Sequence, residues 1–269
     1  MVTSDTTDAA SRLSAGALRA LRRLTQRKAR LEAQRFLVEG RTAVREALNS
    51  GYARELVIGE DDRYAADLVA EAAVEVRIAT KAQLAQLSDT VTPQEIIAVC
   101  QQPHYGWEAL QDARIVVVCA QVRDPGNAGT IVRDADAFGA DVVVFTGGSV
   151  DLYNPKTVRA TMGSIFHVPI ISGVELAEVM RHLRGSTITV FAADAAGEPL
   201  DALAQRGELD SPVAWLFGNE AWGLPAADAA LADRLVAIPM WGAAESLNLS
   251  SAAAICLYQT ACAQHRATN

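Results

Sequence analysis

The sequence contains no long apolar run and no leader-like start. Its longest apolar stretches, such as Ile115 to Ala120 and Val142 to Phe145, are far shorter than the roughly 20 residues that span a bilayer. The first residues are polar and acidic, whereas a secretory signal has an apolar centre. Half of the 269 residues are nevertheless apolar, which is enough to bury a substantial core. We therefore expect a globular, cytoplasmic protein with no membrane partner.

Cysteine is scarce, and its spacing indicates no metal or disulfide chemistry. The four cysteines are Cys100, Cys119, Cys256 and Cys262, and no two of them form a CxxC pair. Cys100 and Cys119 lie inside apolar, strand-like runs, which is typical of small core residues. We expect neither a metal site nor a disulfide framework.

Charge is distributed unevenly along the chain. The net charge is −8, but ten Arg and Lys residues lie between Arg12 and Arg45 against only Glu32 and Glu39. This segment therefore carries +8 and the remainder −16. A concentrated basic face is typical of proteins that bind nucleic-acid phosphates, although a solvated charged helix is the alternative.

Periodicity and turn residues divide the chain into a tail, two α/β domains and a linker. Residues 1–14 are rich in Thr, Ser, Asp and Ala and are expected to be disordered. A small α/β domain covers residues 15–100, with one helical pattern from Leu18 to Leu31. Residues 101–112 contain the Pro and Gly of a linker, and residues 113–269 form the second domain.

Strand-like and helix-like runs alternate through the second domain, which favours a parallel sheet with helices on both faces. The predicted strands are 114–120, 141–145, 166–170, 187–192, 213–217 and 234–238, and a final helix covers about 246–263. This alternation also occurs in nucleotide-dependent dehydrogenases. However, no GxGxxG follows the first strand, and Thr146 to Ser149 is too short to replace it.

Three separated stretches each begin where one of these strands ends. They are the first motif (Asp124–Arg133), the second motif (Phe217–Pro225) and the third motif (Ile238–Ser250). Because the carboxyl ends of parallel strands lie at one edge of a sheet, all three should converge there. The sequence therefore predicts a ligand site at this edge.

In the first motif, Asn127 occupies the position of a helix N-cap. Arg133 shares a helix face with Gly126 and Gly129, and helical side chains lean toward the N-terminus. Its guanidinium is therefore expected to project over the glycines toward the sheet edge. A surface arginine paired with a local acid is the alternative.

The second and third motifs place further polar groups at the same edge. Gly218 allows close backbone approach after a buried strand, and Glu220 offers a carboxylate. Ser246 and Asn248 lie just ahead of the final helix, where capping alone would use only one of them. The alternative is a helix with redundant caps.

In this order, N-x5-R, G-N-E-x-x-G-L and I-P-M-x(5)-S-L-N-x-S resemble the motifs of the SpoU (TrmH) family of RNA ribose 2′-O-methyltransferases, in the SPOUT class. The resemblance covers about residues 112–265 and includes Asn154 to Gly163. The basic region from Leu18 to Cys100, with Phe36 to Gly40, resembles the family's substrate-binding domain, an L30e-like RNA-binding fold.

The resemblance implies a C-terminal parallel-sheet SPOUT domain with a deep trefoil knot that holds S-adenosylmethionine. It also implies a homodimer with the active site at the interface. The residues that match the family's cofactor contacts are Gly218, Ile238, Met240 and Leu247. The residues that match its catalytic set are Arg133, Asn127, Glu220, Ser246 and Asn248.

We therefore expect S-adenosylmethionine-dependent 2′-O-methylation of a ribose in structured RNA. An appended RNA-binding domain favours ribosomal over transfer RNA. A tRNA ribose methyltransferase and a non-catalytic RNA-binding relative are the alternatives. The side chains expected to contact RNA are Arg22, Arg23, Arg27, Lys28, Arg30 and Arg41.

The expected role of Arg133 follows from its chemistry. The family often assigns this arginine as the general base, but a guanidinium pKa above about 12 leaves little neutral form at pH 7. Stabilising the developing alkoxide and clamping the adjacent phosphate suits it better. Trp215 is expected in the core, while Trp222 and Trp241 flank the predicted pocket and could be core or base-stacking residues.

Overall fold

The computed structural model describes residues 11–62, 66–71 and 73–267. Contacts between residues divide the chain into two units. Unit 1 contains the residues up to Pro103 together with Asp151–His167, and unit 2 contains His104–Val150 and the residues from Val168 onward. The segment Asp151–His167 is the difference from the predicted boundaries, which place it in the second domain.

The secondary-structure elements are as follows, in chain order. The first part of the chain contains β1 (Ser11–Arg12), α1 (Ala15–Arg23), α2 (Arg27–Ala33), β2 (Arg35–Glu39), α3 (Arg41–Asn49), β3 (Ala53–Gly59), α4 (Ala66–Glu71), β4 (Glu75–Ala79), α5 (Lys81–Leu87) and β5 (Ile96–Gln101). The remainder contains β6 (Ile115–Cys119), α6 (Pro125–Ala137), β7 (Val142–Thr146), α7 (Pro155–Thr161), β8 (Ile170–Val174), α8 (Leu176–Arg184), β9 (Thr189–Pro199), α9 (Leu200–Gln205), β10 (Val213–Phe217), α10 (Ala226–Ala229), β11 (Arg234–Ala237) and α11 (Leu249–Ala267).

Unit 1 is built on a five-stranded mixed sheet with the order β1-β4-β3-β5-β2. Strands β1, β4 and β3 are parallel, and β5 runs antiparallel to both β3 and β2. Buried Leu21 of α1 and Leu84 of α5 pack on its apolar face. Phe36 of β2 is fully buried, and its ring centroid lies 4.7 Å from that of Tyr153 and 5.9 Å from that of Phe166. These aromatic contacts explain why Asp151–His167 belongs to unit 1.

The helical pattern predicted from Leu18 to Leu31 is divided between two helices. Helix α1 ends at Arg23, and α2 begins only at Arg27. The Thr25 hydroxyl donates to the Arg22 carbonyl at 2.9 Å, and Gln26 is extended, so the backbone turns between the two helices. The buried apolar face is interrupted as well, since Leu21 and Leu24 are buried whereas Leu31 of α2 is 53% exposed.

The predicted disordered tail is only partly within the described residues. Residues 1–10 lie outside them. Ser11–Arg12 forms β1, and Ser14 caps α1 by accepting the Ala17 backbone N–H at 3.2 Å. Residues 11–14 are therefore ordered, because the main chain pairs with β4.

Unit 2 is built on a six-stranded parallel sheet with the order β11-β9-β10-β6-β7-β8. The predicted α/β class with a parallel C-terminal sheet is confirmed. The valine-rich β6 and β7 are buried throughout, as expected for central strands covered on both faces. Trp215 of β10 is fully buried, as predicted, and its indole N–H donates to Thr260 Oγ1 at 2.9 Å.

Two element boundaries predicted for the second domain are shifted. The strand predicted at residues 166–170 is wrong, because Ser164–Phe166 forms a 3₁₀ turn and β8 begins after Pro169. Proline has no N–H to donate to a strand ladder, which favours this later start. The final helix begins at Leu249, three residues after the predicted Ser246.

Cys100 and Cys119 are buried, which confirms the prediction that they are core residues. Cys256 is also buried and Cys262 is half-buried, and all four cysteines are free thiols. Burial raises the pKa of the Cys119 thiol. Among the described residues, no helix is long and apolar enough to cross a membrane. That same part of the chain holds no group of three or more His, Cys, Asp or Glu residues able to bind a metal ion.

Candidate active site

The three motifs follow neighbouring parts of the same parallel sheet. The first motif follows β6, the second overlaps the end of β10, and the third follows β11. Strand β10 pairs with β6, with Phe217 opposite Cys119, and β9 lies between β10 and β11. The motifs therefore leave the sheet at its carboxyl edge, as predicted.

A cavity of about 350 Å³ lies at this edge of unit 2. All four residues matched to cofactor contacts line it: Gly218, Ile238, Met240 and Leu247. Glu220 and Ser246, from the predicted catalytic set, also line it. Asn127, Arg133 and Asn248 do not. The structure therefore divides the predicted catalytic residues into two groups.

Glu220 connects the second motif to the first. Its two carboxylate oxygens accept the backbone N–H groups of Arg123 at 3.1 Å and Asp124 at 3.0 Å. The Asn127 side chain also donates to it at 3.4 Å. The carboxylate is thus occupied by donors, and its geometry suits positioning of the first motif.

Asn127 connects the first motif to the third. Its side-chain oxygen accepts from the Asn248 side-chain amide at 3.0 Å. The Asn248 oxygen in turn accepts the Ser250 N–H at 2.9 Å and so caps α11. The side chains of Glu220, Asn127 and Asn248 therefore form one hydrogen-bonded line across all three motifs.

The predicted N-cap at Asn127 is wrong. Asp124 caps α6 by accepting the Asn127 backbone N–H at 2.8 Å, and Pro125 occupies the first helical position. Asn127 consequently lies inside the first turn. This position leaves its side chain available for Glu220 and Asn248.

Arg133 lies on α6 with an exposed side chain. Its guanidinium makes no hydrogen bond or ion pair within the part of the chain that the structure describes, so the alternative of a local ion pair is not observed. Arg133 is not among the residues that line the cavity. Burial raises the pKa of the neighbouring Asp134 carboxyl, and the positive charge of Arg133 partly offsets that rise.

The side chains predicted to contact RNA all lie in unit 1. Arg22, Arg23, Arg27 and Lys28 are exposed on α1 and α2. Arg41 is ion-paired with Asp62 and Asp67. Arg23 and Lys28 also pair with Glu32, at 3.7 and 3.9 Å, although both side chains stay exposed.

The RNA contact predicted for Arg30 is wrong. This residue is only 3% exposed. Its guanidinium pairs with Asp151 at 2.6 Å and donates to the Leu24 carbonyl at 2.8 Å. Arg30 therefore joins α2 to the segment Asp151–His167 within unit 1.

Comparison with known proteins identifies the family. Residues 114–258 match the SpoU rRNA Methylase family, and residues 17–98 match the MRM3-like substrate binding domain. The chain is 36% identical over 239 residues to the 23S rRNA (guanosine(2553)-2′-O)-methyltransferase RlmP of Bacillus subtilis, covering 88% of this chain and 92% of that relative. The chain belongs to the SpoU rRNA methylase family. This membership confirms the predicted enzyme class, an RNA 2′-O-methyltransferase.

Solved structures of SpoU methylases have the same fold. AviRb from Streptomyces viridochromogenes, in complex with the cofactor AdoMet, has a TM-score of 0.80 and 29% identity, covering 92% of this chain and 97% of that one. The AdoMet-bound rRNA methyltransferase from Sinorhizobium meliloti has a TM-score of 0.79 and 32% identity, covering 93% and 95%. S-adenosylmethionine is accordingly the cofactor of this SpoU methylase, as predicted.

The cavity fits this cofactor chemically. Its volume is within the usual range of small-molecule sites. Apolar side chains such as Val236 and Leu249 provide surface for an adenosyl group, and the carboxyl groups of Asp194 and Glu245 suit the positive sulfonium and ammonium centres. Sequence reasoning missed Asp194, although its strand, β9, is another parallel strand of the same sheet.

Gly218 is required by the backbone beside the cavity. A Cβ atom at this position would lie 2.4 Å from the Gly223 carbonyl carbon and 2.6 Å from the Leu224 nitrogen. Such distances would force the turn apart. In this SpoU methylase the second motif can therefore close against the cavity only with glycine at residue 218.

Proposed function

We propose that this SpoU methylase transfers the methyl group of S-adenosylmethionine to a ribose 2′-hydroxyl of large-subunit ribosomal RNA. The observation that carries the proposal is the hydrogen-bonded line of Glu220, Asn127 and Asn248 beside a cavity lined by every predicted cofactor contact. Ribosomal RNA is favoured over tRNA because relatives that match most of the chain are named as 23S rRNA methyltransferases.

The bound cofactor supplies an activated methyl group on a positively charged sulfur. The chain's own task is to align a ribose oxygen with that methyl group and to stabilise the charge that develops as the hydroxyl proton leaves. Arg133 is proposed for the second task, because its protonated guanidinium donates to oxygen anions in a planar, two-pronged manner. Glu220, Asn127 and Asn248 are proposed to fix the loops around it.

A homodimer through unit 2 is proposed because Arg133 does not reach the cavity of its own chain. On α11, Ile255 is 39% exposed and Tyr258 is 57% exposed, and the Tyr258 ring lies 5.7 Å from that of Phe138, at the end of α6. A second copy that covers this apolar surface would complete the site near Arg133. A deep trefoil knot in unit 2 is also proposed, on the basis of family membership alone. A cytoplasmic location is proposed as well.

Unit 1 is proposed to bind the RNA through exposed Arg22, Arg23, Arg27 and Lys28. These side chains should bind phosphates without reading the base sequence. RNA affinity should therefore fall steeply as salt increases, and each charge removed should reduce the salt slope by about one.

The proposal is tested by incubating the full chain with labelled S-adenosylmethionine and unmethylated ribosomal RNA, with total tRNA in parallel. We expect labelling at one ribose of the 23S RNA. The position of that methyl group is mapped by comparing 2′-O-methyl sites in RNA from cells with and without the protein. Labelling of tRNA alone would contradict the substrate class. S-adenosylmethionine binding by calorimetry separates the enzyme from a non-catalytic relative, which would bind RNA without the cofactor.

A further inference from the structure

Two exposed side chains at the carboxyl edge of unit 2 have no role in the proposed reaction. Trp222 of the second motif is 50% exposed, although its neighbours Ala221 and Gly223 line the cofactor cavity. Trp222 itself does not line the cavity. The guanidinium carbon of Arg123 lies 5.0 Å from the centroid of its ring. We propose that Arg123 and Trp222 form a stacking platform for an unpaired RNA base next to the methylated ribose.

The loop that carries Trp222 is held rigidly. Asn219 and Gly223 exchange two backbone hydrogen bonds, of 3.0 and 2.9 Å. The Asn219 side chain is buried; it donates to the Gln121 carbonyl at 2.7 Å and accepts the Ala221 N–H at 2.8 Å. Because these bonds fix the backbone that carries Trp222, little backbone entropy is lost when a base stacks on its ring.

The main chain of Arg123 is held to the second motif by a neighbouring glutamate. Its backbone N–H donates to Glu220, the residue two positions before Trp222. The Arg123 guanidinium is exposed and makes no ion pair or hydrogen bond among the described residues. The arginine therefore retains all its donors for a phosphate while its planar face stays near the indole.

An aromatic ring paired with an arginine is the combination that binds unstacked RNA bases, because every base has a π face and an adjoining phosphate. The platform adjoins Glu220, which lines the cofactor cavity. A base held there would belong to the target nucleotide or one beside it. A contact with a second subunit is less well matched, because the Arg123 charge would be buried without a partner.

The inference rests on the proposed function, but its test does not require methyl transfer. The probe is a single-stranded RNA of about twelve nucleotides with one 2-aminopurine, bound to the full chain in the presence of S-adenosylhomocysteine. In the wild-type protein we expect quenching of the 2-aminopurine fluorescence by stacking. Trp222→Ala should abolish this quenching and weaken binding about tenfold. Trp222→Phe should retain most of the quenching and most of the RNA affinity, because an aromatic face remains.

Arg123→Ala should weaken binding and reduce the salt slope by about one, whereas Trp222→Ala should leave the slope unchanged. Trp241→Ala is the matched control, because Trp241 is a 91% exposed tryptophan on a different loop. Its binding should stay within about twofold of wild type. An equal loss in Trp241→Ala would overturn the assignment to Trp222.

Three further results would also overturn the platform. They are unchanged quenching in Trp222→Ala, loss of S-adenosylmethionine affinity without loss of RNA affinity, and dissociation of an oligomer. The last would identify Trp222 as a subunit contact. If instead the wild-type protein quenches the probe but methylates no ribosomal RNA, the proposed function fails while the platform stands.

Discussion

The side-chain amide of Asn248 donates to the side-chain oxygen of Asn127 at 3.0 Å, across 121 residues of sequence. Each partner lies at the start of a helix, Asn127 in the first turn of α6 and Asn248 immediately before α11. The two helices pack against each other. Their amino ends are thus fixed together at the edge of the sheet where the cavity opens.

Glu220→Gln is expected to reduce methylation about 100-fold, because an amide NH₂ would replace one of the oxygens that accept the Arg123 and Asp124 N–H groups. The turnover number should fall while RNA affinity stays the same, as measured by steady-state kinetics and filter binding. Glu108→Gln is the control, since Glu108 likewise accepts a backbone N–H, at Gly106, but does not line the cavity. Equal losses in both variants would contradict a specific role for Glu220.

Arg133→Ala should abolish methyl transfer and leave cofactor affinity and thermal stability almost unchanged, because its guanidinium makes no hydrogen bond or ion pair within the described chain. Arg133→Lys should also be nearly inactive, since an ammonium cannot donate in the same planar geometry. Single-turnover methylation, calorimetry and thermal unfolding measure the three quantities. Arg181→Ala, at another exposed helical arginine, is the control. Near-normal turnover in Arg133→Lys would refute the proposed two-pronged role.

Tyr258→Glu should dissociate the proposed homodimer and reduce methylation with it, because a carboxylate would be buried in an apolar interface. Light scattering during size-exclusion chromatography measures the molar mass. Gln205→Glu adds the same charge at an exposed position of α9 and should leave the mass unchanged. A Tyr258→Glu protein that keeps the wild-type mass would exclude Tyr258 from the interface.

Asp151→Ala should destabilise unit 1 by about 3 to 5 kcal/mol, because the buried Arg30 guanidinium loses its counter-charge. Hydrogen exchange of the amides in α2 and β2 reports this local stability. Lys28→Ala removes only an exposed pair with Glu32 and should cost less than about 1 kcal/mol. If the amides of α2 and β2 exchange at the same rate in both variants, the ion pair of Arg30 and Asp151 contributes little to the stability of unit 1.

Asp134→Asn should stabilise the protein slightly at neutral pH. Burial raises the pKa of the Asp134 carboxyl, so the folded state holds this proton more tightly than the unfolded state does. The resulting stabilisation is complete below the unfolded pKa and is lost as pH rises through the folded pKa. At pH 7 the free energy of unfolding of the variant should exceed that of wild type by less than about 1 kcal/mol, because the carboxyl group is half exposed. At about pH 3 the two free energies should be equal. Urea unfolding at both pH values measures the difference, and a larger gain at the lower pH would contradict this sign.

Local patterns in the sequence located the site well but not every contact in it. Strand endings placed three motifs at one sheet edge, and Gly218, Ile238, Met240 and Leu247 line one cavity there. The wrong N-cap has a local cause, because both Asp124 and Asn127 can cap a helix. Only the conformation around Pro125 decided between them.

Charge was harder to predict than apolar pattern. Arg30 and Lys28 lie two residues apart in the same basic run, yet one is buried on Asp151 and the other is exposed. Their fates differ because a segment more than a hundred residues later packs on α2 and supplies the counter-charge. No property of the basic run itself carries that information.

The sequence by itself determined which strands are buried, where the three motifs lie and which chemistry their side chains can perform, because these depend on neighbours within a few residues. The tertiary structure alone decided that Asn127 lies between Glu220 and Asn248, that Asp194 lines the cavity and that Arg133 stays exposed. These relationships depend on the order in which the parallel strands assemble. That order brings residues that are far apart along the chain close together in space.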